Sequence, residues 1–195
     1  MVTVDVPAGW MEPDPSAGWD AVLIADGPPG YAGSGWGVVF TTVGDVFRDP
    51  CDVSKGTIPA AQVDTPQKLA AAIAAWPGFT ATAARPSTVD GHSALELKVA
   101  KKAKSAGCGY GNAWVSASGA SVDAYLFAAG SAYPTTIQIV DTGRGLLVIR
   151  ASDFPNTSPF ESDFNGLANT PDRHAGDQAQ LHAVLDSIRL SPPTP

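Results

Sequence analysis

The sequence predicts an α+β fold, an antiparallel β-sheet with helices packed on one or both of its faces. Three observations carry that expectation. Thr135–Ala151 reads TTIQIVDTGRGLLVIRA, two apolar arms joined by a tight Gly-containing turn. His92–Ala100 alternates, with Leu95, Leu97 and Val99 on one side and Ala94, Glu96 and Lys98 on the other. That period of two suits a half-exposed antiparallel strand rather than a buried parallel one. Helical periodicity is confined to two segments, too few to cover the faces of a parallel dinucleotide-binding sheet. The Thr135–Ala151 hairpin itself calls for further strands and a covering layer, because a lone hairpin is marginal in water.

In chain order, Val2–Val6 forms a first strand, ended by Pro7-Ala8-Gly9, and Trp10 then plugs the edge of a core. Asp20–Ala25 is a second strand, stopped by a Gly- and Pro-rich connection that runs through Gly35. Trp36–Val43 is a third, rich in β-forming residues. Gly44–Pro50 follows, with Val46 and Phe47 as core or edge contacts, and Asp52–Val63 is irregular. Helix signals then become clear. Thr65 caps, Pro66 takes the first helical position, and Leu69, Ile73 and Trp76 fall at i, i+4 and i+7 before Pro77-Gly78 stops the helix. Phe79–Ala84 is extended, Arg85-Pro86-Ser87 breaks it, and Asp90-Gly91 turns the chain into His92–Ala100. A loop holding Cys108 leads to a short segment at Trp114-Val115, and Tyr125–Ala128 reads as a strand or strand end. After the Thr135–Ala151 hairpin comes an excursion through Asp153–Asp163. From Asp177 a second helix runs to about Ile188, with Leu181, Val184, Leu185 and Ile188 as its apolar stripe. Residues 1–190 thus make one α+β domain, without internal repeat or linker, and 191–195 a flexible C-terminal tail.

A length of 195 residues fits one domain with a substantial core. The charged fraction of 16% is low against the usual value of about 25%. Twelve basic against 19 acidic residues leave a net charge of −7. Cations gather only at Lys98, Lys101, Lys102 and Lys104, which argues against nucleic acid as the partner and against adhesion to an anionic membrane. No run of 18 apolar residues is present, so no transmembrane segment is expected. Met1 reads directly into a strand, so no signal peptide is expected within this sequence. An exported protein would then be secreted, or anchored through a segment absent from this chain; a cytoplasmic location is the alternative.

Motifs for chemistry are sparse. His92, His174 and His182 show neither HxH nor HExxH spacing, and no metal site is expected. The serines lack a GxSxG setting. Carboxylate pairs such as Asp14 and Asp20, or Glu161 and Asp163, have no spacing that marks a glycosidase. Gly27–Gly35 precedes a strand instead of a helix, and Gly107–Gly111 lacks the Lys-Ser/Thr of a phosphate loop, so no cofactor is expected. Aromatic residues give the one hint of binding. Tyr31, Tyr110, Trp114 and Tyr133 lie near loops or strand ends, from which rings can line a groove for a peptide, a glycan or a small apolar ligand. The plainer alternative is that each ring seals an end of the core, as expected of Trp10 and Trp36. Cys51 and Cys108 sit in neither a CxxC motif nor a zinc spacing. Two readings remain open for them: a pair of buried free thiols, or one disulfide closing a loop of roughly 60 residues and worth about 2–4 kcal/mol. The second implies an oxidising compartment.

Val6-Pro7-Ala8-Gly9-Trp10, Asp45–Cys51 (DVFRDPC), the helix before Pro77-Gly78, Val89-Asp90-Gly91 before a strand, Asp153-Phe154-Pro155 and Val184–Leu190 (VLDSIRL) together resemble a group of actinobacterial extracytoplasmic domains. These look like the exposed parts of lipoproteins or membrane-anchored proteins. The arrangement is also similar to the Mog1/PsbP-like fold, including lipoproteins of the LpqN type. The resemblance implies an antiparallel sheet between helices, an α/β/α sandwich. It further implies a disulfide between Cys51 and Cys108, and a non-catalytic role in protein binding or as an accessory subunit. The expectation for function is therefore an extracytoplasmic binding or sensing module, not an enzyme, whose partner is a protein, peptide or glycan at the cell envelope. The alternatives are an accessory or structural domain of an envelope assembly and a cell-wall or glycan hydrolase.

Overall fold

A computed structural model describes residues 2–5, 10–11, 21–25, 36–102, 112–115, 121–123, 134–153, 179 and 181–190. The strands are β1 (Val2–Thr3), β2 (Trp10–Met11), β3 (Ala21–Ala25), β4 (Trp36–Thr42), β5 (Val46–Phe47), β6 (Thr57–Ile58) and β7 (Phe79–Ala81). They continue with β8 (Arg85–Val89), β9 (His92–Lys101), β10 (Asn112–Val115), β11 (Ser121–Asp123), β12 (Thr135–Asp141), β13 (Leu146–Asp153) and β14 (Arg189–Leu190). Helix α1 is Pro66–Ala74, and a second helix, α2, covers residues 181–187. The fold is thus mostly antiparallel sheet with few helices.

The hairpin of β12 and β13 lies at the centre of the largest sheet, which runs β2-β3-β4-β13-β12-β9-β7 with β8 also on β9. Its register is continuous from Thr136↔Ala151 to Asp141↔Leu146. The turn is closed by short-range bonds: Asp141 Oδ1 accepts from Gly143 N at 2.8 Å, and Thr142 Oγ1 donates to Gly145 O at 2.9 Å. On the outer sides β12 pairs β9, with Ile139 opposite Leu95, and β13 pairs β4, with Ile149 opposite Phe40.

Because strand side chains alternate, the central strands supply two apolar faces. On one face Leu97, Val99, Ile137, Ile139, Leu146 and Val148 pack with Leu69, Ile73 and Trp76 from α1 and its C-terminal end. On the other, Val38, Phe40, Val140, Leu147, Ile149 and Ala151 pack with Leu181, Val184 and Ile188 from α2 and the residue that follows it. Leu69, Ile73 and Trp76 are all buried, as their spacing predicts. Thr65 caps α1 through its side chain, which accepts from Lys68 N at 3.3 Å, and Pro66 occupies the first turn. Thr65→Ala is expected to cost about 0.5–2 kcal/mol in urea unfolding, the usual range for a lost N-cap.

Several elements differ from the sequence expectation, among them the short strands β2, β5, β6 and β11, which it does not anticipate. Arg85-Pro86-Ser87 does not break the chain but belongs to β8, whose register with β9 runs from Arg85↔Glu96 to Val89↔His92. Pro86 is tolerated because β8 lies at the sheet edge, where one side of the strand needs no partner for its N–H groups. The two residues between β8 and β9 both have positive φ, Asp90 at 48° and Gly91 at 77°. That combination suits a two-residue hairpin turn, with glycine in the conformation that a Cβ disfavours. Val2–Thr3 is not part of the main sheet; it pairs with β14, a strand not anticipated after the second helix. This clasp is tied down by Asp90, whose Oδ2 accepts from Leu190 N at 2.8 Å, and by Ser187 Oγ, which accepts from Asp5 N at 2.9 Å. The expected segment Tyr125–Ala128 lies outside the described residues.

Candidate functional site

The sequence offered four aromatic residues as ligand candidates. Tyr31, Tyr110 and Tyr133 lie outside the described residues. Trp114 is fully buried, at 0% exposure. Its ring stacks on Trp76 with centroids 6.3 Å apart and planes 22° apart, and its Nε1 donates to Thr41 Oγ1 at 3.2 Å. The guanidinium of Arg150, itself buried, lies 5.7 Å from the Trp114 ring centroid. Such a contact between a cation and a ring face strengthens when both are removed from water. Trp114 therefore serves the core: the described surface does not present its ring to a ligand. Of the histidines, His182 is exposed on α2, His92 is half-buried at the start of β9, and His174 lies outside the described residues.

A different feature stands out on the surface. The segment from Gly44 to Val63 leaves β4, forms β5 and β6, and reaches α1 with most of residues 52–62 exposed. Exposed connections of this length usually owe their shape to little beyond their ends. Here the shape is fixed from within by two carboxylates. Asp45 Oδ1 accepts from Ala60 N at 2.9 Å, fifteen residues on, and its Oδ2 accepts from Thr57 Oγ1 at 3.4 Å. Asp49, only 4% exposed, accepts from Cys51 N at 3.0 Å through Oδ1 and from Lys55 Nζ at 2.6 Å through Oδ2. Asp52 caps the turn between them, accepting from Ser54 N at 3.2 Å. Gly56 closes that turn at φ 74°, and its carbonyl accepts from Arg48 N at 3.1 Å.

The base of the segment is held equally firmly. Trp76 Nε1 donates to Phe47 O at 2.9 Å, so the stacked tryptophans also grip β5. Gly44 N donates to Val115 O and Val115 N to Asp45 O, both at 2.7 Å. Strand β5 thereby lies between β10 and β6 in a second sheet ordered β11-β10-β5-β6. Cys51 is half-buried against the α1-side core, and there is no free cysteine among the described residues. Its expected partner Cys108 lies outside them. The sequence reads Val46 and Phe47 as core or edge contacts and Asp52–Val63 as irregular, and marks no site in either stretch. The signal that could have found it is the pair Asp45 and Asp49, each followed by backbone amides for a short acceptor side chain to reach.

Electrostatics reinforce the brace. Burial on its own would raise the pKa of Asp49, but the bonds from Lys55 and from the Cys51 amide outweigh it, and the pKa lies below the ordinary carboxylate value of 3.8. Lys55 is raised above its ordinary 10.5, chiefly by its bond to Asp49. A carboxyl group with a lowered folded pKa contributes stability that is full above its unfolded value and is lost as pH falls through the folded one. An amine with a raised pKa contributes below its unfolded value and loses that contribution as pH rises through the folded one. The brace therefore holds across the neutral range and weakens below about pH 4. Asp49→Ala is expected to cost about 1–2 kcal/mol, discounted because Lys55 is half exposed and can rehydrate. Urea midpoints measured at pH 6 and pH 3 check this: the gap between wild type and variant is expected to narrow at the lower pH, as Asp49 protonates.

Among the described residues no helix is long and apolar enough to cross a membrane, and no group of three or more His, Cys, Asp or Glu side chains is placed to hold a metal ion. No protein-family profile matches the chain, and no curated protein matches it. Among solved structures the chain is similar to the solution structure of cyanobacterial PsbP (CyanoP) from Synechocystis sp. PCC 6803. The identity is 13% over 97% of this chain and 92% of that one, with a TM-score of 0.41. A superposition this loose carries no argument about function.

Proposed function

We propose that this chain is a non-catalytic binding module that presents residues 48–62 to a protein partner at the cell envelope. The observation that supports the reading is the internal brace of that segment. An exposed stretch already held in one shape loses less conformational entropy on binding, so more of the contact energy appears as affinity. Loops fixed on a rigid scaffold are also where binding residues concentrate. The carboxylates of Asp45 and Asp49 are occupied as acceptors for the segment itself, which suits a structural duty better than proton transfer. In this reading the domain is an extracytoplasmic α/β/α sandwich of the Mog1/PsbP-like kind, akin to LpqN-type lipoproteins, with Cys51 bonded to Cys108.

Co-purification from the native envelope tests the reading. Wild type is compared with a variant in which residues 52–58 are replaced by a Gly-Ser stretch of equal length. The wild type is expected to retain a partner that the variant loses while keeping its fold. Equal recovery with both chains would overturn the proposal. Thiol titration in denaturant, on material never exposed to reductant, addresses the compartment: no reactive thiol is expected, and two would remove the argument for export.

A further inference from the structure

The residues left available on the braced segment narrow the chemistry of its partner; this step rests on the reading of 48–62 as the presented surface. Val53 is 49% exposed, the large apolar side chain that stands out in solvent among the described residues. It sits in the short turn of Val53–Lys55, whose ends are fixed by the Asp52 side chain and by Gly56 N donating to Val53 O at 3.1 Å. Two cations belong to the same stretch. Lys55 is held by Asp49 at 2.6 Å, with Asp52 at 3.9 Å. Arg48 is exposed, and no ion pair among the described residues engages its guanidinium. Its backbone is nevertheless fixed, through the bond from Arg48 N to Gly56 O.

We propose that the partner is a protein whose surface offers a carboxylate to Arg48 beside a shallow apolar depression that receives Val53. An arginine that no described carboxylate engages is suited to such a contact: its planar, weakly hydrated guanidinium binds carboxylate in a two-point geometry that lysine lacks. Arginines are also enriched among the residues that dominate interface energies. A nucleic acid fits poorly, because neutralising its phosphates takes several convergent cations and residues 48–62 hold only Arg48 and Lys55, the second already bonded to Asp49. A neutral glycan supplies neither the carboxylate nor the apolar depression.

Site-specific photo-crosslinking in the producing cells provides the test. The full chain carries benzoylphenylalanine at exposed Ala61, and the adduct yield is compared with that of Arg48→Glu, Arg48→Lys and Val53→Asp versions. One protein adduct is expected. Its yield should fall about tenfold or more with Arg48→Glu and with Val53→Asp, as for loss of a central interface contact, and less with Arg48→Lys. In the identified partner, changing one surface Glu or Asp to Arg is expected to restore binding to the Arg48→Glu chain. An adduct whose yield stays within about twofold in both variants would overturn this inference and leave the broader reading standing. The absence of any adduct would overturn both. Thermal midpoints of the variants, expected to match wild type because both side chains are exposed, exclude misfolding as the cause.

Discussion

Trp114→Ala is expected to lower stability by about 3–5 kcal/mol, the range for emptying a large aromatic site in a core that collapses only in part. The magnitude follows from what the ring touches. It is fully buried, stacks on Trp76, lies against the Arg150 guanidinium and donates to Thr41. Its loss leaves a void beside a buried charged side chain and removes the support through which Trp76 holds Phe47 O. Trp114→Phe should cost less, since part of the stack survives and the bond to Thr41 does not. Urea unfolding with an unchanged dependence on denaturant gives the number. A loss below about 1 kcal/mol would mean that the ring is not a core element, and would restore it as a candidate for ligand contact.

Ile188→Ala should destabilise by about 2–5 kcal/mol through the opposite face of the sheet. Ile188 is 1% exposed at the end of α2, within the cluster that includes Val184, Phe40 and Ile149. Its removal also loosens the connection into β14, the strand that pairs with Val2–Thr3. His182 on the same helix is exposed, so His182→Ala should stay within about 0.5 kcal/mol of wild type. Similar losses for the two variants would show that α2 does not dock by its apolar stripe.

Much of the scaffold was legible because its signals are local. The β12–β13 hairpin could be read from apolar arms around a glycine turn, and α1 from its cap, its proline and its Leu69-Ile73-Trp76 spacing. What escaped depended on contacts distant in sequence. Arg150 reads as the polar end of a strand; only the fold brings Trp114 over it. Trp114 reads as a loop ring or a core ring, because its burial is decided by partners distant in sequence: β5 pairs beside it, Trp76 stacks on it, and Thr41 of β4 accepts from its Nε1. The proline in β8 suppressed a strand that an edge position allows. For the candidate site the difficulty was greater. Asp45 and Ala60 meet across fifteen residues, and no periodicity announces a segment whose order comes from side-chain carboxylates bonding backbone amides.

The central claim, that residues 48–62 are held in shape before any partner arrives, is tested most directly by amide hydrogen exchange of the free protein, read residue by residue by NMR. The Cys51 and Ala60 amides, bonded to Asp49 and Asp45, are expected to exchange at least about tenfold more slowly than in an unstructured peptide. Asp49→Ala should release the first and Asp45→Ala the second. Exchange of both amides at the unstructured rate in the wild-type chain would contradict the account.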